Sequence, residues 1–315
     1  MYMQPLFWHT TRYRIDLAQP RIMGIVNVTP DSFSDGGQHA STAQAIAHCE
    51  QLVRDGAHVL DIGGESSRPG AQPLPLDEEL RRVLPVLQAA LQLGVPVSVD
   101  TYKPQVMQAA LDMGVDIIND IWALRQPGAH AVIARYPQCG LVLMHMHRNP
   151  QTMQTEPMDC ADVVAQVKID LLSFCELLEQ YLLGLQSDLI GKTSALPIHN
   201  REQASATNPQ LSARIMLDPG IGLGKTVAQN FTLLARQDEL ASLGYPILAG
   251  WSRKSSLGAV TGLDAADRMV PSVAAALLAV QRGASVVRVH DVRETAQALA
   301  VWQATNLQFA KPLKL

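Results

Sequence analysis

The chain lacks most of the features that would place it in several large classes. It has only four cysteines in 315 residues, Cys49, Cys139, Cys160 and Cys175, and no C-x-x-C pair. It is far longer than a disulfide-stapled module, so reduced thiols in a cytoplasmic protein are expected. No run of eighteen consecutive apolar residues occurs, so no membrane partner is expected. Residues 1–16 mix aromatic, polar and basic side chains without the apolar stretch of a signal peptide. Positive charge is not in excess: 25 Lys and Arg stand against 29 Asp and Glu, for a net charge of −4. That excludes a broad basic surface and, with it, nucleic acid as an expected partner. Any bound anion has to be held by a few placed Lys, Arg and His.

What is present is a real core, 47% hydrophobic residues against 17% charged, arranged in one recurring unit. An amphipathic helix ends at a glycine and a short apolar run follows. The glycines are Gly56, Gly94, Gly114, Gly244 and Gly283, with Gly140 as a sixth case. The residue after a helix often needs a left-handed backbone, which glycine adopts freely. The apolar runs read as strands over 22–27, 59–63, 96–100, 116–120, 141–145, 215–218, 246–250 and 286–290. Their continuous apolar character suits a parallel sheet covered on both faces. Between them, Ile46, Cys49, Leu52 and Val53 form a helical stripe behind a Ser41-x-x-Gln44 capping box. Leu80, Val83, Leu84 and Leu87 form another, which Pro85 is expected to disturb. Pro104 and Pro271 sit where first-turn prolines belong.

Eight such units predict an α/β fold, a closed (β/α)8 TIM barrel over residues 21–305 in a single domain spanning 1–315. An open doubly wound sheet would carry a Gly-rich dinucleotide turn after an early strand, and none is present. Residues 187–212 break the rhythm: they are polar, contain Pro197 and Pro209, and show neither helical nor strand period. They read as a surface insertion between the fifth helix and the sixth strand, on the face away from the chemistry.

In such a barrel the residues at strand C-termini face the site. Here they are Asn27, Asp61 with Glu65, Asp100, Asn119-Asp120, His145 with His147, Asp218, and Arg288 with His290. The seventh strand runs instead through Trp251 into Ser252-Arg253-Lys254-Ser255. One carboxylate closing a strand often only caps the next helix. Seven polar strand ends of eight are poorly explained that way. Two loops rich in Gly, Ser and Pro, residues 28–37 and 63–70, read as substrate-covering, and the second offers Arg68 and backbone N–H groups to a phosphate.

Two patterns mislead. Gly220-Ile221-Gly222-Leu223-Gly224-Lys225-Thr226 resembles a phosphate-binding P-loop, but that spacing needs glycine where Pro219 stands. His145-Met146-His147 places two imidazoles close together, as a metal-dependent hydrolase would, although further ligands would be needed.

At these residues the chain resembles dihydropteroate synthase. The motifs are Met23-Gly24-Ile25-Val26-Asn27-Val28-Thr29-Pro30-Asp31-Ser32-Phe33-Ser34-Asp35-Gly36-Gly37 and Asp61-Ile62-Gly63-Gly64-Glu65-Ser66-Ser67-Arg68-Pro69-Gly70. Shorter matches lie at 98–101, 118–120, 143–146, 217–220, 252–255 and 288–290. The resemblance implies condensation of 6-hydroxymethyl-7,8-dihydropterin diphosphate with 4-aminobenzoate. The products are 7,8-dihydropteroate and diphosphate, in folate synthesis. It also implies Mg²⁺, a homodimer, and sulfonamides as mimics of the aminobenzoate.

The resemblance further implies roles. Asp100, Asn119 and Asp218 read the pterin edge, whose donors and acceptors they can match in pairs. Lys254 bonds the pterin and borders the aminobenzoate. Arg288 packs its guanidinium on the pterin face. Asn27 binds Mg²⁺ beside the diphosphate, and Arg68, Arg288 and His290 hold that leaving group. Phe33, Ser67, Pro69 and Ser255 form the aminobenzoate pocket with Lys254. Asp35 lends negative charge to a pterin-methyl cation formed after diphosphate departs.

Two departures adjoin that pocket: Ser67 where the family commonly has Thr, and Leu223 where it often has an aromatic residue. The missing methyl at 67 is worth roughly 0.8 kcal/mol of apolar contact if buried. The competing expectations are a catalytically degraded pterin-binding relative, a pterin-dependent methyltransferase barrel, and the metal-dependent hydrolase suggested by His145-Met146-His147. The second has no use for the diphosphate-binding loops.

Overall fold

The structure, a computed structural model, describes residues 7–28, 37–66, 72–148, 153, 156–190 and 209–310. It begins with a small antiparallel hairpin, β1 (Phe7–His9) and β2 (Arg14–Asp16). Eight parallel strands follow: β3 (Arg21–Asn27), β4 (Val59–Gly63), β5 (Val97–Asp100), β6 (Ile117–Asp120), β7 (Gly140–Met144), β8 (Ile215–Asp218), β9 (Ile247–Ala249) and β10 (Ala284–Val289). Each pairs with its chain neighbour, and β10 pairs with β3 to close the barrel. The helices are α1 (Gly37–Arg54), α2 (Leu76–Ala90), α3 (Pro104–Asp112), α4 (Ala129–Ala134), α5 (Val163–Ile190), α6 (Pro209–Ser212), α7 (Val227–Ala235), α8 (Ser255–Thr261), α9 (Met269–Gln281) and α10 (Val292–Ala310). No helix among the described residues is long and apolar enough to cross a membrane.

Side-chain alternation splits the core in two. Ile22, Leu60, Ile62, Val97, Val99, Ile118, Leu141, Leu143 and Val287 face outward and pack against the helices. Met23, Val59, Ile117, Val142, Met216, Leu248 and Val286 face inward as an apolar floor. Two residues further along the strands, the inward positions are Ile25, Asp61, Asn119, Met144, Asp218, Gly250 and Arg288, by the period of two. The floor is thus apolar and the layer above it mostly polar.

The hairpin closes the barrel from below, which the sequence reading did not foresee. Trp8 and Ile15 are buried on the floor residues. The Trp8 indole donates to the Arg214 carbonyl at 2.8 Å. Arg12 clasps Asp116 at the start of β6, Nη2 to Oδ2 at 2.7 Å.

Three local expectations need correction. The chain turns helical at Gly37, so Ser41 lies inside α1 rather than capping it; a capping box forms instead at Thr226 and Gln229. Helix α2 runs through Pro85 without interruption. Gly140 is not a helix cap but the first residue of β7. A Cβ there would lie 2.9 Å from Thr10 Cγ2, so glycine is required by the close approach of the hairpin. The other five glycines do take left-handed φ, between +75° and +104°.

The insertion expected over 187–212 is shorter at both ends. Helix α5 continues to Ile190 and α6 forms at Pro209. The rest, 191–208, lies outside the described residues. In chain order it falls between α5 and α6.

Candidate functional site

The polar layer is built around Asp61, which the sequence reading noted as a strand end but gave no role. Asp61 is fully buried on β4. Its Oδ2 accepts from Asn119 Nδ2 of β6 at 3.0 Å and from Arg288 Nε of β10 at 2.6 Å. Arg288 Nη2 reaches Asp100 Oδ2 of β5, also at 2.6 Å. Four strands are thereby joined by one hydrogen-bonded chain. Burial opposes the charge on Arg288, but Asp61 and Asp100 outweigh it and hold the guanidinium above its ordinary range. Burial pushes the Asp100 carboxyl up to about 7, against the pull of Arg288 and with the push of Asp61 and Glu79. Asn119 sits beside Asp100 in the strand register, so both present to one region of the barrel mouth.

Asp218, at the end of β8, is buried, and its Oδ1 accepts from the Gly220 N–H at 2.7 Å. Burial raises its pKa, while the Gly220 N–H, Lys254, Arg288 and Lys225 oppose the rise. Lys254 precedes α8 in an extended conformation. Burial lowers its pKa to about 8, partly offset by Asp218 and Asp100. Its methylenes run over Gly222, where a Cβ would lie 3.2 Å from Lys254 Cδ. The structure therefore brings Asp100, Asn119, Asp218, Lys254 and Arg288 into one electrostatically coupled group.

Asn27 closes β3 and pairs in register with Gly63. His290 follows β10, its Nδ1 2.9 Å from Ser252 Oγ. Ser255 opens α8 and is exposed. Phe33, Asp35, Ser67, Arg68 and Pro69 lie outside the described residues, so the two glycine-rich loops are placed only at their ends.

The false P-loop resolves into a folding element. Lys225 is buried, and its ammonium donates to the carbonyls of Gly220 at 2.9 Å and Leu223 at 3.2 Å. It holds a tight turn rather than a phosphate, and burial lowers its pKa to about 7. Leu223 itself is buried with Ile121, Met144, Met146 and Met153.

Three strand-end residues prove to be structural. Asp120 follows inward-facing Asn119 and so faces outward, accepting from the N–H groups of Trp122 and Leu124 at 2.7 Å each. His145 follows inward-facing Met144 and bonds Asp170 of α5, Nε2 to Oδ2 at 3.0 Å. Burial lowers its pKa to about 4, so the ring is neutral. The two histidines lie beyond the end of β7, and no group of three or more His, Cys, Asp or Glu suited to a metal occurs among the described residues. Arg253 turns to Asp291, not to the site.

A second polar cluster borders the first. Lys103 ion-pairs with Glu65 after β4 and with buried Glu79 of α2. Tyr102 Oη donates to Glu65 Oε1 at 2.8 Å, and the Leu74 N–H to Glu65 Oε2 at 2.9 Å. Thr101 Oγ1 donates to Glu79 Oε1 at 2.7 Å. Glu65 thus fastens both ends of the loop that carries Arg68. Glu79 went unread in the sequence because an acidic first turn, here Asp77-Glu78-Glu79, is ordinary in a helix.

Comparison with known proteins agrees with this geometry. A family profile described as pterin binding enzyme matches residues 23–191 and 198–290. The dihydropteroate synthase of Neisseria meningitidis serogroup C is 46% identical, covering 95% of this chain and 98% of the relative. A Xanthomonas albilineans dihydropteroate synthase solved with 4-aminobenzoic acid is 45% identical, with a TM-score of 0.79 over 93% of this chain and 95% of that one. The Burkholderia cenocepacia dihydropteroate synthase complexed with 7,8-dihydropteroate is 41% identical, with a TM-score of 0.80 over 98% of this chain and 99% of that one.

Proposed function

This chain belongs to the dihydropteroate synthase family of pterin-binding enzymes, and on that premise we propose how its strand ends divide the work. The reaction joins 6-hydroxymethyl-7,8-dihydropterin diphosphate to 4-aminobenzoate, giving 7,8-dihydropteroate and diphosphate. The observation that carries the assignment of residues is the inward polar layer above an apolar floor.

Asp100, Asn119 and Asp218 read the pterin edge. Two carboxylates and an amide supply acceptors for ring N–H groups and a donor for a ring acceptor. An analogue lacking one of those groups leaves a buried polar atom unpaired, at about 1–3 kcal/mol, which gives selectivity. Asp61 holds Arg288 and Asn119 in place for this task. The planar guanidinium of Arg288 packs on the pterin face, and its charge, with His290 and Arg68, meets the leaving diphosphate. Lys254 stands between the pterin and the aminobenzoate, whose pocket Phe33, Ser67, Pro69 and Ser255 complete.

The C–O bond between the pterin methylene and the diphosphate breaks first, its electron pair leaving with the diphosphate. Asp35 offsets the positive charge left on the pterin. The amine nitrogen then attacks the methylene and loses a proton to solvent. A neutral aromatic amine is already nucleophilic, so no strong base is required of the protein.

Mg²⁺ fits this site as a substrate-borne ion. The described residues offer it no carboxylate cage, but Asn27 supplies a hard oxygen at a strand end. Mg²⁺ commonly takes a few protein oxygens and completes its shell with phosphate oxygens and water. Bound there, it would neutralise charge on the departing diphosphate. Asn27 would orient it.

The assembly is a cytoplasmic homodimer. Val260, Leu263, Met269, Val270, Leu278 and Val301 are exposed on or beside α8, α9 and α10, an apolar face that a second copy would cover. The four free thiols suit a reducing compartment.

One assay tests the whole reading. Purified protein is given the pterin diphosphate, Mg²⁺ and 4-aminobenzoate, and diphosphate release is followed. Release should depend on aminobenzoate. A protein that binds the pterin but releases no diphosphate would be the degraded relative instead.

A further inference from the structure

Lys254 is approached through a strained residue. Arg253 has φ of +57°, a left-handed backbone that glycine would hold more easily. A residue with a side chain persists there only where its surroundings over-determine it. They do so at the backbone N–H, the carbonyl and the guanidinium. The Arg253 N–H donates to Ser272 Oγ at 2.8 Å, and its carbonyl accepts from Arg268 Nη1 at 3.2 Å. Its guanidinium donates to both oxygens of Asp291, at 2.7 and 3.3 Å. One residue earlier, Ser252 Oγ accepts from the His290 N–H at 3.1 Å and lies 2.9 Å from His290 Nδ1. Consecutive residues after β9 therefore dock, rung by rung, on consecutive residues after β10.

We propose that Arg253, Asp291 and Ser272 form a positioning clamp that fixes where the Lys254 ammonium stands relative to Arg288 and His290. The inference rests on the reading of Lys254 as the group between the two substrates. The Arg253–Asp291 pair is partly solvent-exposed, so it contributes little to global stability. Its effect is local. If the clamp opens, φ of residue 253 relaxes to negative values, and a rotation there redirects everything that follows, beginning with Lys254 and the first turn of α8. Neither Arg253 nor Asp291 touches substrate in this scheme. Both act through Lys254.

The test uses the full chain and steady-state kinetics with both substrates. Asp291→Asn and Ser272→Ala should each lower kcat/KM for pterin diphosphate and for 4-aminobenzoate by between about tenfold and 100-fold, the loss expected of a misplaced group. Tm should stay within about 3 °C of the parent. The basic limb of the pH profile should also move, because Lys254 changes its distance to Asp218, Arg288, Asp100 and Lys225. Arg253→Lys keeps the charge but loses the fork, and should recover part of the activity. Arg293→Ala, which removes the Arg293–Asp55 pair between α10 and the end of α1, two residues from Asp291, should stay within about twofold. Should Asp291→Asn fail to fold, Ser272→Ala and Arg253→Lys answer the same question. Unchanged KM values and an unmoved basic limb in these variants would overturn the clamp alone. Full activity in Lys254→Ala would instead overturn the reading beneath it.

Discussion

Arg288 and Asp61 form a buried ion pair, Nε to Oδ2 at 2.6 Å, across the β10–β3–β4 seam of the barrel. The pair is worth most when judged by what remains after one partner is lost. Arg288→Met leaves the Asp61 carboxylate fully buried with only Asn119 for company. Breaking such a pair costs about 3–5 kcal/mol, and urea unfolding should show a drop of that size. Asp61→Asn should cost less, because Arg288 keeps Asp100. Replacing both by apolar residues should restore much of the stability and none of the activity. An Arg288→Met protein with the parent's unfolding midpoint would show the pair to be energetically idle.

The pH dependence follows from two groups shifted toward each other. Asp100 titrates near 7 in the fold, above the ordinary 3.8, chiefly through burial. Its raised pKa favours the fold fully below the unfolded value, and that contribution is lost as pH rises through 7. Lys254 titrates near 8, below the ordinary 10.5, again chiefly through burial. Its contribution is present above the unfolded value and lost as pH falls through 8. The charges on which the proposed roles of Asp100 and Lys254 rely are therefore present together only in a narrow window around pH 7 to 8. A bell-shaped kcat/KM profile is expected, its limbs belonging to the coupled group. Lys254→Arg should flatten the basic limb, whatever activity it retains. A limb that stayed in place would belong to another residue.

The barrel was legible because its strands are short apolar runs, five of the eight following a helix-ending glycine, a signal that survives without neighbours. The inward polar layer was legible as residue types, Asp100, Asn119, Asp218 and Arg288, at strand ends. What sequence could not supply was the facing of adjacent residues. Asn119 and Asp120 look equivalent until the register fixes Asn119 inward, and His145 reads as a site-facing strand end until inward-facing Met144 turns it away. The hairpin at Trp8 escaped because its partner is the barrel floor, a long-range contact with no local pattern. Ser41 misled because its motif fits a cap equally well inside a longer helix.

Lys225 should prove a stability residue and not a phosphate ligand. Its ammonium satisfies the Gly220 and Leu223 carbonyls inside a turn packed so closely on the His145 carbonyl that a Cβ at position 220 would overlap that oxygen. Hydrogen bonds to a charged group contribute about 1.5–3 kcal/mol each. Lys225→Met should lower unfolding stability by at least about 2 kcal/mol. The parent protein should release no phosphate from nucleoside triphosphates. A stable Lys225→Met protein would mean the turn holds without it.

The apolar face should set the assembly. Val270 is 68% exposed and Met269 37% exposed at the start of α9. A charge placed there would be desolvated in a dimer and harmless in a monomer. Val270→Asp should shift light-scattering mass from about twice the chain mass toward once, with little change in Tm measured at low concentration. An unshifted mass would move the interface elsewhere or remove it.

The connection between α5 and α6 should be dispensable for catalysis. Residue 214, just after α6, lies at the barrel floor, where its carbonyl meets Trp8. Asp218 stands at the other end of the same strand, β8, beside Lys254 and Arg288. Helix α6 therefore leads into β8 at the end opposite Asp218, and the closure entropy of the connection that precedes it changes only slowly with length. Replacing residues 192–206 by a short Gly-Ser bridge should leave kcat/KM for both substrates within about twofold, the factor that roughly 0.5 kcal/mol represents. Circular dichroism would confirm that the barrel persists. A bridge variant that folds as the parent does but loses tenfold or more in activity would give the connection a part in the reaction, and would require it to reach across the barrel wall.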